Sequence, residues 1–345
     1  MEEKTLDALR KIGIENLKDR PIYSLSGGKN MILSFILIVV GFVLLIVGAD
    51  VLVDGSSGIA KKFHIPEIII GLTIVSIGTS MPELFVSITS ALEGHSDMAI
   101  GNIIGSNLSN LLLILGLSAT IKPVIFQKET RLYEIPMCLA VTLTLMFFCN
   151  TGNVISRVEA IILLILFCLF IGYTICMGKK ESKRDIVEIQ TEDKNNSSIK
   201  NIMLIILGIL GLKFGGDLVV NNALNVANYF NLSEKLISLT ILAIGTSLPE
   251  LVTSVTAAIK GNSDIAIGNI IGSNIFNILL IIGTSSIINP VVYNSTYNFD
   301  FSILLISTII LSLFPVIPPK NEMSRFNGIV YLIIYALYMA RLFTK

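Results

Sequence analysis

The chain has 345 residues, of which 53% are hydrophobic and only 14% charged, and its formal net charge is zero. Soluble globular domains carry about 25% charged residues, so the composition argues against one, and a neutral chain is no natural partner for nucleic acid. The charges are also unevenly placed: Met31 to Ala49, Ile135 to Ser156, Ala160 to Gly178 and Phe301 to Pro319 contain none. Each of these stretches is close to the roughly 20 residues a helix needs to cross a bilayer.

In chain order, residues 1–30 come first, polar and with several Lys and Arg but no apolar run before Met31. They read as a short amphipathic or disordered extension rather than a signal peptide. Apolar segments follow near 31–54, 64–92, 97–119, 132–150 and 155–177. Lys179 to Lys200, with KKESKRD and TEDKNN, reads as a solvated loop. A second set follows near 200–221, 231–259, 264–286, 301–319 and 327–343. The expected fold class is all-α integral membrane, about ten transmembrane helices in two five-helix halves, 31–178 and 200–345, joined by a polar loop over 179–199. The cysteines Cys138, Cys149, Cys168 and Cys176 lack C-x-x-C spacing and read as small buried apolar residues. His64 and His95 fall at segment edges and read as interfacial.

The halves are copies of one another. Gly48 to Pro123, slid by 167 positions, lands on Gly215 to Pro290 without a gap, and about half the positions are identical. SIGTSMPEL (Ser76 to Leu84) lands on AIGTSLPEL (Ala243 to Leu251), and AIGNIIGSN occurs at both Ala99 to Asn107 and Ala266 to Asn274. An odd number of spans per half puts the second copy into the membrane from the opposite side, the inverted plan of many transporters. Lys61, Lys62, Lys122, Lys128, Arg131, Lys260, Lys320, Arg325 and the central loop outnumber Arg157, Lys235, Arg341, Lys345 and the basic extension on the other face. The expected orientation in the cell membrane therefore has the central loop cytoplasmic and both termini outside.

Glu83 and Glu250 stand in otherwise uncharged apolar segments without an Arg or Lys to pair with. A charge at such depth costs several kcal/mol and marks an ion pathway by default, so the expected partner is a bound cation or a proton. Ser76, Thr79, Ser80 and Glu83 share one helical face. Pro82 and Pro249 withhold the usual donors from the carbonyls of Gly78 and Gly245, and freed carbonyls at membrane depth bind ions or line cavities. In the next segment Asn102, Ser106 and Asn110 are spaced four apart, as are Asn269, Ser273 and Asn277. Gly101 with Gly105, and Gly268 with Gly272, allow close helix approach that would bring Ser106 and Asn110 near Glu83. Asn102, Asn107, Asn269 and Asn274 read first as interhelical hydrogen bonders, Asn110 and Asn277 as ion ligands.

Such hydroxyl, carbonyl and carboxylate oxygens suit calcium or sodium, and magnesium less well. Two carboxylates make the empty site −2, which one calcium, two sodium ions or two protons would neutralise. Asp50, Asp54 and Asp217 lie at segment ends and read as paired or capping, with Lys213 placed four residues before Asp217 for a local ion pair. Glu67, Glu234, Asp97 and Asp264 fall at segment starts and read as helix N-terminal acids. No His, second-acid or zinc-ligand constellation accompanies these residues, which argues against an intramembrane enzyme. No cofactor and no obligate protein partner is expected, and the partners are the transported ions and membrane lipid.

GTSMPE and GTSLPE, each followed by GNIIGSN, resemble the paired alpha-repeats of the calcium/cation antiporter superfamily, and most closely its prokaryotic sodium/calcium exchanger branch. The resemblance spans nearly all of residues 31–345, with the repeats near 64–119 and 231–286. It implies alternating access, the first helix of each half sliding past a core of inverted halves. It also implies that Glu83 and Glu250 are acidic ligands shared by calcium and sodium. Thr79, Ser80, Thr246 and Ser247 would supply hydroxyl or carbonyl oxygens, Ser76 and Ala243 backbone carbonyls, Ser106 and Ser273 side-chain oxygens, and Asn110 and Asn277 would complete the centre. Asn277 departs from relatives with aspartate there, which argues against potassium cotransport, and Ser76 replaces a common alanine. The expected activity is calcium-for-sodium antiport, most simply calcium export; the alternative is proton-coupled antiport of calcium or another divalent cation.

Overall fold

A computed structural model describes residues 27–92, 96–185, 198–229, 243–316, 318 and 320–344. Within these residues the chain is helical almost throughout. Seven helices are long and apolar enough to cross a membrane, and the bent pair Glu67–Thr79 and Met81–Leu92 makes an eighth. We label the helices α1 (Gly27–Phe63), α2 (Glu67–Thr79), α3 (Met81–Leu92), α4 (residues 96–121), α5 (Thr130–Gly152) and α6 (Arg157–Asp185). The second half has α7 (Ser198–Tyr229), the turn α8 (Ala243–Thr246), α9 (Leu248–Lys260), α10 (Ser263–Ile288), α11 (Asn298–Leu313) and α12 (Arg325–Thr344).

α1 has 37 residues and α7 has 32, so at 1.5 Å per residue both exceed the roughly 30 Å apolar core of a bilayer. They pack antiparallel along glycines. A Cβ on Gly41 would lie 2.8 Å from the Gly215 carbonyl oxygen, one on Gly48 3.0 Å from that of Gly208, and one on Gly55 2.8 Å from that of Asn201. The seven-residue spacing holds these glycines on one face, and only glycine lets the backbones come so close.

The prolines act as expected on the helices that carry the acids. α2 and α3 meet at 48°, and the break falls at Ser80 (φ −83°, ψ 8°), two residues before Pro82. Its counterpart Ser247 (φ −86°, ψ 5°) separates α8 from α9, with Pro249 in the first turn of α9. Proline has no N–H to continue the ladder, and its ring crowds the preceding turn.

α4 and α10 form the centre. The most apolar window of α10 is 94% buried inside the protein and that of α4 72%, against 22% for α1. Both are interrupted by π-helical turns, Ser109–Ile114 and Asn277–Ile282, a device that accommodates one extra residue and re-aims side chains. The main apolar core includes Ile100, Ile103, Leu108, Leu111, Ile270, Ile275, Ile278 and Phe301, all fully buried. A second core joins α1 and α7 to α9 through Leu45, Leu52, Leu212 and Ala257.

Two short antiparallel ribbons were not legible in the sequence. β1 (Val124–Ile125) pairs with β4 (Glu322–Met323), and β2 (Val154–Ile155) with β3 (Val291–Val292). Each joins the strand after α4 or α10 to the strand before the last helix of the other half.

Four expectations are corrected. Lys179 to Asp185 continue α6 as helix rather than loop, because Lys, Glu and Arg extend a helix readily once it is nucleated; residues 186–197 lie outside the described ones. Helix ends differ by up to nine residues from the apolar runs: α1 continues to Phe63 rather than 54, so that Asp50 and Asp54 lie inside it, and α7 to Tyr229 rather than 221, while α11 ends at Leu313 rather than near 319. Cys138 and Cys149 are buried, but Cys168 and Cys176 are exposed on α6, since in lipid an apolar residue gains nothing from facing inward. Lys213 makes no ion pair with Asp217; its ammonium lies 5.5 Å from the Phe85 ring centroid, where a π-face can hold a cation.

Candidate ion site

Glu83 sits in the first turn of α3 and Glu250 in the first turn of α9, each 1% exposed. The breaks at Ser80 and Ser247 place each acid in the first turn of a helix, where the N-terminal dipole favours negative charge. The serines at the breaks reach across to the opposite half. Ser80 Oγ donates to Glu250 Oε1 at 2.8 Å, and Ser247 Oγ donates to Glu83 Oε1 at 3.4 Å. Ser106 on α4 also donates to Glu83 Oε1, at 3.5 Å. Residues separated by 164 and 170 positions thus enclose one centre.

Four asparagines lock α4 to α10. Asn110 Nδ2 donates to Asn274 Oδ1 at 3.0 Å, and Asn277 Nδ2 donates to Asn107 Oδ1 at 2.9 Å. The amides of Asn107 and Asn274 also donate to each other's carbonyl oxygens, at 3.2 and 3.5 Å. The later residue on one helix pairs with the earlier residue on the other, so α4 and α10 run antiparallel where they cross. Using the amide nitrogens in this way leaves Asn110 Oδ1 and Asn277 Oδ1 free.

Those two oxygens are among several buried atoms left bare. Among the described residues, Glu83 Oε2, Glu250 Oε2, Asn110 Oδ1, Asn277 Oδ1 and Ser273 Oγ are buried and have no hydrogen-bond partner. Buried polar atoms are normally satisfied, because leaving one bare costs about 1–3 kcal/mol and more for a charge. No group of three His, Cys, Asp or Glu side chains occurs among the described residues, so the two acids keep company with neutral oxygens rather than imidazole or thiolate.

Most of the expected site residues are brought together here. Thr79, Ser80, Thr246, Ser247 and Ser106 are at most 8% exposed and hydrogen-bond to the two carboxylates, and Ser273 is fully buried. Ser76 is buried, its hydroxyl donating to Leu72 O at 2.8 Å and its carbonyl accepting from Ser80 N at 3.0 Å; Ala243 opens α8. Asn102 and Asn269 act as hydrogen bonders within their halves, to Ser87 Oγ at 3.2 Å and Ser254 Oγ at 2.9 Å. Thr79 additionally donates to Asn269 Oδ1 at 3.0 Å. Ser87 and Ser254 were missed in the sequence, although each lies four residues after its glutamate, on the same helical face. Glu67 and Asp264 occupy first turns as expected. Glu234 and the side chain of Asp97 lie outside the described residues.

The two sides of the site differ. Ser76, Thr79 and Asn269 are fully buried, whereas Thr246 is 8% exposed and Asn102 half-buried. The more buried side is the end at which α2 and α10 begin and α9 stops, next to β1, where Gln127 donates to Asp264 Oδ2 at 3.4 Å.

A family model described as "Sodium/calcium exchanger protein" matches residues 33–176 and 200–344. A putative antiporter, CaxA of Alkalimonas amylolytica, is 38% identical over 91% of this chain and 100% of its own length. The sodium/calcium exchanger MaX1 of Methanosarcina acetivorans is 30% identical over 90% of this chain and 99% of its own. Among solved structures, the sodium-calcium exchanger NCX_Mj superposes with a TM-score of 0.78 at 31% identity, covering 90% of this chain and 98% of that one.

Proposed function

The chain belongs to the sodium/calcium exchanger protein family, and from that premise we propose that this multi-pass membrane protein exchanges calcium for sodium by alternating access. The observation that carries the reading is that Ser80 and Ser247 hold Glu250 and Glu83 across one centre while each glutamate keeps a buried oxygen, Oε2, without a hydrogen-bond partner, as do Asn110 Oδ1, Asn277 Oδ1 and Ser273 Oγ. Calcium takes about six to eight oxygens at flexible geometry. The carbonyls of Gly78 and Gly245, with Thr79, Ser80, Thr246 and Ser247, would complete such a shell.

Coupling follows from electrostatics. The empty site carries two buried carboxylates, and enclosing them bare is costly. A carrier loaded with calcium or with sodium can close around its ions, whereas the empty one resists closing. Both ions need the same carboxylates, so they bind in alternation, and the result is exchange rather than leak. The neutral Asn110 and Asn277 keep the empty site at −2, which one calcium balances; a third sodium would make the exchange electrogenic.

In this reading the two halves are inverted copies, the central loop and the β1–β4 face are cytoplasmic, and the physiological direction is calcium export. The test is flux in proteoliposomes. An outward sodium gradient should drive calcium-45 uptake, and Glu83→Gln or Glu250→Gln should abolish it. Uptake indifferent to sodium but driven by a pH gradient would assign the counter-ion as the proton instead.

A further inference from the structure

Away from the ion site, one lysine ties separate helices together. Lys260, the last residue of α9, places Nζ 2.7 Å from Asp50 Oδ1 and 2.6 Å from Asp54 Oδ1 on α1. It also donates to the Asp50 carbonyl oxygen at 3.0 Å. Gly261, at φ 89°, ends α9 immediately after it, so the lysine lies in the last turn of its helix, where a cation is favoured. Asp50 and Asp54 are one turn apart and grip it from one face of α1. The next turn of α1 is held as well: Asn262 donates to Ser57 Oγ at 3.2 Å, and Ser57 donates to Glu67.

This clasp lies on the β1–β4 side, where Ser76, Thr79 and Asn269 are sealed. It joins α1 to the helix that carries Glu250. Reaching the ion site from this side requires the ends of α1, α2, α9 and α10 to part, and parting α1 from α9 breaks both ion pairs. The sequence repeat does not supply the same clasp on the other side. There Lys260 corresponds to Glu93, Asp50 to Asp217 and Asp54 to Asn221, so the charges that attract on one side are replaced by residues that do not.

We infer that Lys260, acting through Asp50 and Asp54, is a positioning residue that holds the β1–β4 face closed and biases the resting carrier toward presenting its ion site to the opposite face. The inference rests on the exchange activity proposed above. All three side chains are partly exposed, at 25%, 54% and 60%, and such ion pairs are weak. The bias is therefore a few-fold, enough to set which face is favoured and small enough to be reversed in every cycle.

The experiment compares wild type, Lys260→Gln, Asp50→Asn/Asp54→Asn and the triple variant in proteoliposomes of determined orientation. Sodium-dependent calcium-45 exchange is measured while calcium is varied on each face in turn. Apparent affinity scales with the fraction of carriers open to that face, so Lys260→Gln should lower half-saturating calcium on the β1–β4 face relative to the other by about three- to fivefold. The double variant should give the same shift and the triple no more, with maximal exchange preserved. An unchanged ratio overturns the inference, and so does a fall in maximal exchange with the ratio unchanged, which marks a merely structural residue. If wild type shows no sodium-dependent exchange, the proposed function fails instead. The clasp is then read from Ile69→Cys in a background without Cys138, Cys149, Cys168 and Cys176. A membrane-impermeant thiol reagent should label it about three- to fivefold faster from the β1–β4 face once Lys260 is Gln; equal rates overturn the inference.

Discussion

The two halves carry nearly the same motif but do not offer it the same surroundings. In the central window α10 is 94% buried and α4 72%. A Cβ on Gly268 would lie 2.7 Å from the Ile68 carbonyl oxygen, whereas one on the equivalent Gly101 would lie 2.8 Å from the Tyr297 hydroxyl, the movable end of a side chain. Thr79 is buried against Asn269, while Thr246 is 8% exposed. Repetition at the chemical centre is thus compatible with one side sealed and the other looser. Lys260, Asp54 and Tyr297 are among the residues that the repeat does not copy.

The largest expected effect tests the part that is symmetric. Glu83→Gln and Glu250→Gln should each reduce calcium-45 uptake by more than about a hundredfold, as loss of a direct ion ligand does more than loss of its support. If one variant retains substantial uptake, the carboxylates are not equivalent and the shared centre is broken. A smaller effect is expected from adding charge at the crossing. Asn277→Asp and Asn110→Asp exchange an amide donor for a carboxyl that faces the amide oxygens of Asn107 and Asn274. When protonated the new acid can donate to that oxygen, and when ionised it repels it. Exchange in both variants should therefore fall by about tenfold as pH rises through the titration of the introduced acid, measured as calcium-45 flux across a pH series. A response in only one half would show that the crossing is less symmetric than its hydrogen bonds.

The packing asymmetry has its own test. Gly268→Ala should destabilise the detergent-solubilised protein by about 1–3 kcal/mol, because the new methyl meets backbone that cannot move away. Gly101→Ala should cost distinctly less, since Tyr297 can shift; the two melting temperatures compare them directly. The smallest effect is expected from Ser87→Ala and Ser254→Ala. Each removes the acceptor of an asparagine amide, half-buried at Asn102 and fully buried at Asn269, and should slow exchange by about two- to fivefold. Flux at saturating calcium would show whether the sealed side, with Ser254, is the more sensitive.

Much of the site was legible because its signals are local. A carboxylate in an apolar run, a proline two residues after a serine, and hydroxyls at helical spacing can be read along a single segment. The Asn102 and Asn269 role as hydrogen bonders was also readable from residue type, but their acceptors Ser87 and Ser254 were passed over, though they lie on the glutamate face. Lys260 was counted among loop charges, and nothing near it in sequence indicated Asp50 and Asp54. The ribbons escaped because each strand is two residues long and has no period to detect. The exposed Cys168 and Cys176 were misread because hydrophobicity does not separate inside from outside when the solvent is itself apolar.

By itself the sequence determined that this is a membrane protein of two repeated halves with two costly acids in matched positions. Composition, segment length and self-similarity depend on the chain alone. Tertiary structure decided which atoms are used and which remain free: the asparagine crossing that spends amide nitrogens and leaves oxygens bare, the hydroxyls that reach the opposite glutamate, and the one-sided lysine clasp. These depend on which helix faces which, between residues 164 to 210 positions apart. No local pattern encodes that choice, because it is settled by how the helices pack.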